Sequence, residues 1–469
     1  MANHNGLEDR LRHNPYDLCA LVGSLFERAA RGDFADAERL RAACDALHLA
    51  PYARKSLRAI SGGSLAVVRR GTLFYTRIPL AAPAEELFAC IERAVQILGD
   101  LVGRDPPVMW IDFQDIPPYA NTIRRDVEGL CHLTLSSELF SSDAWRATAW
   151  HECGHALLSA NCRFLDEGWG VWCQYKSGYP SFFPASPEEA AKGEIAASIA
   201  AMPLEGFLGF DAADPAFRDI AESDDEQISL YLRGYRFVAS LIEASGCGRV
   251  ADAFDQIASG ADALAVLTQL SPAAVAAEQQ RVTLAGIDRA FRWLRSREPK
   301  AGAAFIPLVR KALEAEPMSV EALELLGRMV GSLALNLPPG QASRAGLVDE
   351  LEGIIQRLDA IDAQNAIAEM LRGLHTISQI GLVPGALLMS ISNKAEAHLV
   401  KAREMKAEDG DLNIALARLE MKKPFSWVAD RANALGYLAT AAADPRCRWE
   451  AVSIASFLSL PPDEMGVSP

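Results

Sequence analysis

Two histidines four residues apart, with a glutamate directly after the first, stand in Trp150-His151-Glu152-Cys153-Gly154-His155. Residues four apart share one face of an α-helix, so both imidazoles can meet a single metal ion. Glu152 lies about 100° round such a helix from His151, where its carboxylate reaches a water on that ion and can serve as general base. A catalytic zinc takes three protein ligands and keeps a fourth position for solvent, so a third donor is required. A third histidine six residues on, with a glycine midway to turn the chain, is one solution. Here those positions hold Asn161 and Leu158, which excludes it. Glu167, twelve residues after His155, is the expected donor, because a carboxylate at the start of a second helix can fold back onto the first after a short turn. One Zn2+ is the expected cofactor, although manganese, cobalt or iron also suit a His-His-Glu set.

The first helix has Ser142 or Asp143 as its expected N-cap. Ala149, Cys153, Ala156 and Ala160 fall on the side away from the histidines, a small apolar face suited to burial. Cys153 is read as packing there, not as a ligand. Upstream, residues 65–68 and 72–78 are β-prone, and Arg69-Arg70-Gly71 between them predicts a hairpin turn. Residues 84–101 carry Leu87, Ile91, Val95 and Leu98 at helical spacing. Residues 108–113 read as a buried strand, 115–128 as an exposed loop and 130–137 as a further strand. The inward set of that last strand is Cys131, Leu133 and Leu135, which leaves His132 on the opposite face as a candidate substrate contact. Residues 15–51 read as two helices joined at Arg31-Gly32-Asp33, resembling half of a tetratricopeptide repeat. Beyond about Lys300, Ala/Leu/Glu-rich segments predict helical hairpins of a degenerate α-solenoid without a clean period.

These residues resemble the gluzincin superfamily of zinc peptidases, in particular the branch of the membrane-alanyl-type aminopeptidases and leukotriene A4 hydrolase. Leu165-Asp166-Glu167-Gly168-Trp169 matches the segment that supplies that family's third ligand. Tyr231-Leu232-Arg233-Gly234, followed by an apolar helix, matches its Tyr-x-Lys-Gly, with Arg233 for the lysine. The resemblance spans roughly residues 60–265. It implies that Tyr231 donates a hydrogen bond to the tetrahedral oxyanion, with Tyr235, Tyr175 and Tyr179 as nearby alternatives. It also implies a sheet whose last strand pairs with substrate backbone. Two departures stand out: the spacing from His155 to Glu167 is shorter than in the aminopeptidases, and the Gly-x-Met-Glu-Asn segment that grips a free N-terminus is absent. Aminopeptidase specificity is therefore not implied.

The chain carries 46 basic and 61 acidic residues, a formal charge of −15, which argues against nucleic acid and anionic membranes as partners. Nine cysteines without paired spacing and the lack of a signal-peptide pattern or a long apolar run point to a cytoplasmic protein. The expected fold is α+β and predominantly helical. It comprises an N-terminal helical segment (1–60), a gluzincin-like catalytic domain (61–298, its sheet part 61–140 and helical part 141–298) and an α-helical, repeat-like domain (299–469). The expected activity is hydrolysis of a peptide bond in a peptide or protein substrate, with the C-terminal helices as a possible partner surface or as a buttress. The alternatives are a zinc hydrolase acting on a non-peptide substrate and a non-catalytic helical scaffold with a structural zinc.

Overall fold

The β-prone residues on either side of Arg70-Gly71 pair, in the computed structural model, as the antiparallel strands β1 (Val67–Arg70) and β2 (Leu73–Thr76). The chain reverses at Gly71, whose φ of +60° favours glycine, so Arg69 and Arg70 belong to the strand and not to the expected turn. The structure describes residues 11–14, 17–45, 51–78, 84–115, 122–125, 130–141, 144–181, 195–208, 223–295, 302–338, 341–380, 384–423, 430–444 and 447–457.

Helix α4 (Ala84–Val102) buries Leu87, Ile91, Val95 and Leu98. It forms the long crossover that a parallel pair of strands requires, carrying the chain from β2 to β3 (Val108–Gln114). Strand β5 (Leu130–Ser136) adds parallel to β3, and β4 (Thr122–Arg125) adds antiparallel to β5, for a sheet order β1-β2-β3-β5-β4. Strand β4 lies within the stretch read from sequence as an exposed loop; residues 116–121 and 126–128 of that stretch fall outside the described residues. The last strand, β5, has β3 on one edge and β4 on the other, so, contrary to expectation, it cannot pair with a substrate. The outer strand on that side is β4.

Strand alternation gives the sheet two different faces. Phe74, Trp110 and His132 stand in register across β2, β3 and β5. Phe26 of α1 (Leu18–Ala30) packs edge-on against Phe74 and Trp110, each at 5.2 Å between ring centres. Helix α2 (Phe34–Asp45) follows the expected turn at Gly32, and a further helix, α3 (Pro51–Ser61), adds Leu57 and Ile60 to the same core. Buried Asp112 accepts from Arg77 Nη1 at 2.5 Å and from Thr76 Oγ1 at 2.6 Å, and Arg77 reaches Ser56 of α3 at 3.1 Å. The described helices α1 to α3 share one apolar core with Phe74 and Trp110 of the sheet. On the opposite face Tyr75 packs on Phe88 of α4.

The chain divides into two compact units: Met1–Ala196 with Phe210–Ala276, and Ala197–Gly209 with Ala277–Pro469. The boundary comes earlier than the expected 298/299, for a reason visible in α10. After α5 to α9, described below, α10 (Leu284–Arg295) buries Ile287, Phe291 and Leu294, and its Arg292 and Arg295 bind Asp411 at 2.6 and 2.7 Å. The second unit continues with α11 (Gly302–Ala315), α12 (Val320–Asn336), α13 (Ala342–Ile361), α14 (Ala366–Ser378), α15 (Leu388–Met405), α16 (Gly410–Lys422), α17 (Arg431–Ala443) and α18 (Arg448–Phe457). Each packs on its sequence neighbour, and α12, α14 and α16 touch in turn as one row. The architecture is a mostly helical α+β one, with a single small sheet among the described residues. No described helix is long and apolar enough to cross a membrane.

Candidate metal centre

The His-Glu-x-x-His segment lies on α5 (Trp145–Leu157). The expected caps Ser142 and Asp143 lie outside the described residues, and the N-cap position is Ala144, which makes no side-chain cap bond. Ala149, Cys153 and Ala156 are buried as a back face, while His151 and Glu152 are only partly covered. At the other end Arg104 donates to the Leu157 carbonyl at 3.0 Å, satisfying a terminal acceptor of the helix.

Residues 158–162 turn the chain into α6 (Arg163–Lys176). Asn161 takes a left-handed φ of +53°. The Asp166 carboxylate closes this turn, accepting from the Ala160 amide at 2.6 Å and from Ser159 Oγ at 2.9 Å. This short link is what the reduced spacing between His155 and Glu167 demands, and it lays α6 back across α5.

Small residues allow the helices to approach. Trp169 Nε1 donates to the Gly154 carbonyl at 2.8 Å, and a Cβ on Gly154 would come within 2.7 Å of Cys173 Sγ. A Cβ on Gly170 would stand 2.6 Å from His151 Nε2. A third helix, α7 (Asp224–Ser245), crosses α6 where glycine meets glycine: a Cβ on Gly168 would overlap the Gly234 carbonyl, and one on Gly234 would lie 2.8 Å from the Phe164 carbonyl. Ser223 caps α7, accepting from the Glu226 amide at 3.3 Å. Tyr231, one turn before Gly234, is thereby brought against α6 and is 5 % exposed. Helices α8 (Cys247–Ala258) and α9 (Ala263–Leu270) follow α7, and α8 also packs on α4.

His151 Nε2 and His155 Nε2 are 3.0 Å apart. Glu167 Oε2 lies 3.2 Å from the first and 3.8 Å from the second. A circle through these three atoms has a radius of about 2.0 Å, against zinc bond lengths of ~2.0–2.1 Å to histidine nitrogen and ~2.0–2.2 Å to carboxylate oxygen. A divalent ion held by all three would still have a coordination position for solvent. Two ring nitrogens and a carboxylate oxygen this close need a proton or a cation among them. The residues therefore fit a divalent metal, and they are the group of metal-ligating side chains found among the described residues.

Electrostatics support the same use. Burial alone would raise the Glu167 carboxyl, but the Arg163 guanidinium and the two imidazoles outweigh it and hold the group well below the usual carboxylate range. Burial alone would lower His155; Glu167, Glu152 and Asp166 reverse this and raise it. A negative basin of this kind attracts a cation. Arg163 pairs with the other oxygen of Glu167, Oε1, and also hydrogen-bonds Tyr231.

Of the residues singled out from sequence, His151, His155 and Glu167 converge. Glu152 is near enough for its charge to act on both His155 and Arg163. Tyr231 reaches Glu167 through Arg163, whereas Tyr235 is packed edge-on against Tyr175 at 4.9 Å. His132 is elsewhere. It is 3 % exposed and stacked on Trp110 at 4.0 Å, on the sheet face covered by the N-terminal helices. Cys153 is fully buried, and burial pushes its thiol well above the ordinary value. Gly168 and Gly234 stand in the matched segments without a packing role assigned to them, and Arg163 and Gly170 were not singled out from sequence. An arginine four residues before a candidate carboxylate ligand on one helix was the available signal for Arg163. The glycines only acquire meaning once the helix crossings are known. No family model, curated protein or solved structure matches this chain.

Proposed function

We propose that the chain is a zinc-dependent peptidase of the kind its motifs resemble. The observation that carries the proposal is the triangle of two imidazole nitrogens and one carboxylate oxygen, 3.0, 3.2 and 3.8 Å on its edges, beside a partly exposed Glu152. His151, His155 and Glu167 would hold the ion. When bound there, zinc would polarise a scissile carbonyl and acidify a water.

The protein's own groups supply the rest of the chemistry. Glu152 takes the proton of the attacking water and returns it to the leaving amine. Tyr231 donates to the oxygen on which negative charge develops. Arginine is a donor only, so Arg163 leaves Tyr231 as the acceptor of their shared bond, with its phenolic proton still available. Strand β4 packs beside α5, and its outer edge has no strand partner among the described residues. An extended peptide can add to such an edge by main-chain hydrogen bonds. That supports a peptide over a compact non-peptide substrate.

The test is digestion of a peptide library by the purified full-length protein, with and without chelator, against Glu152→Gln. Cleavage that needs metal and disappears in Glu152→Gln, with zinc content unchanged, is the expected result. Full cleavage by Glu152→Gln would remove Glu152 from the role of base.

A further inference from the structure

One side chain touches both the metal-binding carboxylate and the phenol. Arg163 lies on α6 one turn before Glu167 and pairs with Glu167 Oε1, while Oε2 faces the two histidines. Its guanidinium also hydrogen-bonds Tyr231 from α7. Its side chain is about a third exposed, at 32 %, so it is reachable from solvent. We infer that Arg163 is a positioning residue that locks Glu167 into one-oxygen coordination and aims the Tyr231 proton into the site, so that one guanidinium sets both the metal's third ligand and the oxyanion donor.

A carboxylate free to rotate could offer both oxygens to a metal and fill the position needed for water or substrate. With Oε1 engaged by a charged donor, only Oε2 remains for the ion. Tyr231 has one proton and two lone pairs. Arginine must donate, so the phenol oxygen accepts from it, and the proton is directed away from the guanidinium. A lysine at this place keeps the charge but presents a point donor in place of a planar fork, and it cannot hold both partners in the same geometry. The crossing of α6 and α7 at Gly168 and Gly234 fixes the distance over which the guanidinium must reach.

This inference rests on the zinc-peptidase reading, and the test separates the two. Zinc affinity is measured by competition with a chromophoric chelator on full-length wild type, Arg163→Ala, Arg163→Lys, Arg163→Gln and Tyr231→Phe. Helicity and thermal melting serve as folding controls. Partners that orient metal ligands are worth about 10–100-fold in affinity, so Arg163→Ala should bind zinc that much more weakly. Tyr231→Phe should stay within about twofold of wild type, because it touches no ligand.

On a cleavable peptide Arg163→Lys should lose kcat with KM unchanged. Added guanidinium ion, at millimolar levels well below denaturing ones, should restore part of the zinc affinity of Arg163→Ala and none to wild type. Should Arg163→Ala not fold, Arg163→Gln carries the comparison. Wild-type zinc affinity in folded Arg163→Ala or Arg163→Gln would overturn the inference while leaving the peptidase reading intact. A wild type that binds no zinc would overturn both.

Discussion

A methyl group added at Gly170 would sit 2.6 Å from His151 Nε2, 2.7 Å from Cε1 and 2.9 Å from Cδ2. Carbon rests about 3.5 Å from such atoms, so the imidazole must give way by roughly 1 Å. A metal site tolerates ~0.2 Å in its ligand distances. The Nε2–Nε2 and Nε2–Oε2 separations of 3.0 and 3.2 Å would no longer surround one ion at bonding distance. Gly170→Ala should therefore lower zinc affinity on the order of 100-fold, about 2.7 kcal/mol, the upper end of what disturbing the groups that orient a ligand costs. Folding should survive. Alanine gains about 1 kcal/mol over glycine inside a helix, and overpacking costs ~1–3 kcal/mol, so the net loss is at most ~2 kcal/mol and Tm falls by only a few degrees. Chelator competition and a melting curve on the same sample check both halves. Wild-type zinc affinity in a folded Gly170→Ala would refute the packing of His151 against α6.

Gly353 lies mid-helix in α13, and a methyl group there would meet nothing within 4 Å; Gly353→Ala should stabilise the protein by about 0.4–1 kcal/mol and leave zinc affinity alone, as calorimetry and the same titration would show. Tyr231→Phe should reduce kcat roughly 100- to 1,000-fold with zinc retained, whereas Tyr235→Phe, which keeps its ring against Tyr175, should reduce it less than about threefold; equal losses would place the oxyanion donor elsewhere. Asp411 is 7 % exposed; burial alone would raise its carboxyl, but Arg292, Arg295 and Arg328 outweigh it and hold the group well below the usual range. Because the folded value is depressed, this stabilisation is complete above the unfolded carboxyl value of ~3.9 and is lost as pH falls towards the folded one. Asp411→Asn, which leaves three buried guanidiniums short of a counter-charge, should cost about 3–5 kcal/mol at neutral pH and flatten the acid limb of the stability profile.

The parts of this molecule legible in its sequence are those whose physics is local. His151 and His155 share a helix face by arithmetic alone, and the periodicity of Leu87, Ile91, Val95 and Leu98 places α4 within a residue of its observed end. Glu167 required one further step, a turn short enough to fold one helix on the next, and Asp166 makes that turn. What could not be read depends on contacts distant in sequence. Strand β4 has four residues, and two of them are arginines, so no apolar alternation marks it; only pairing with β5 makes it a strand. His132 alternates to the expected side of its strand, but that side is covered by α1 to α3, whose common core with Phe74 and Trp110 no local pattern announces. Gly168 and Gly234 belong to the matched segments, but the need for glycine there and at Gly170 shows only in the helix crossings, where no larger residue fits. The boundary at 276/277 depends on arginines of α10 finding Asp411 more than a hundred residues later.

On the proposed reading, His151, His155 and Glu167 bind one zinc ion and leave it a solvent position. X-ray absorption at the zinc edge on stoichiometrically loaded, full-length protein tests this most directly. The account predicts one ion per chain with about four nitrogen and oxygen neighbours at ~2.0–2.1 Å, two of them imidazole, and loss of that signal in Glu167→Ala. Sulfur neighbours at ~2.3 Å, or no bound zinc after loading, would contradict it.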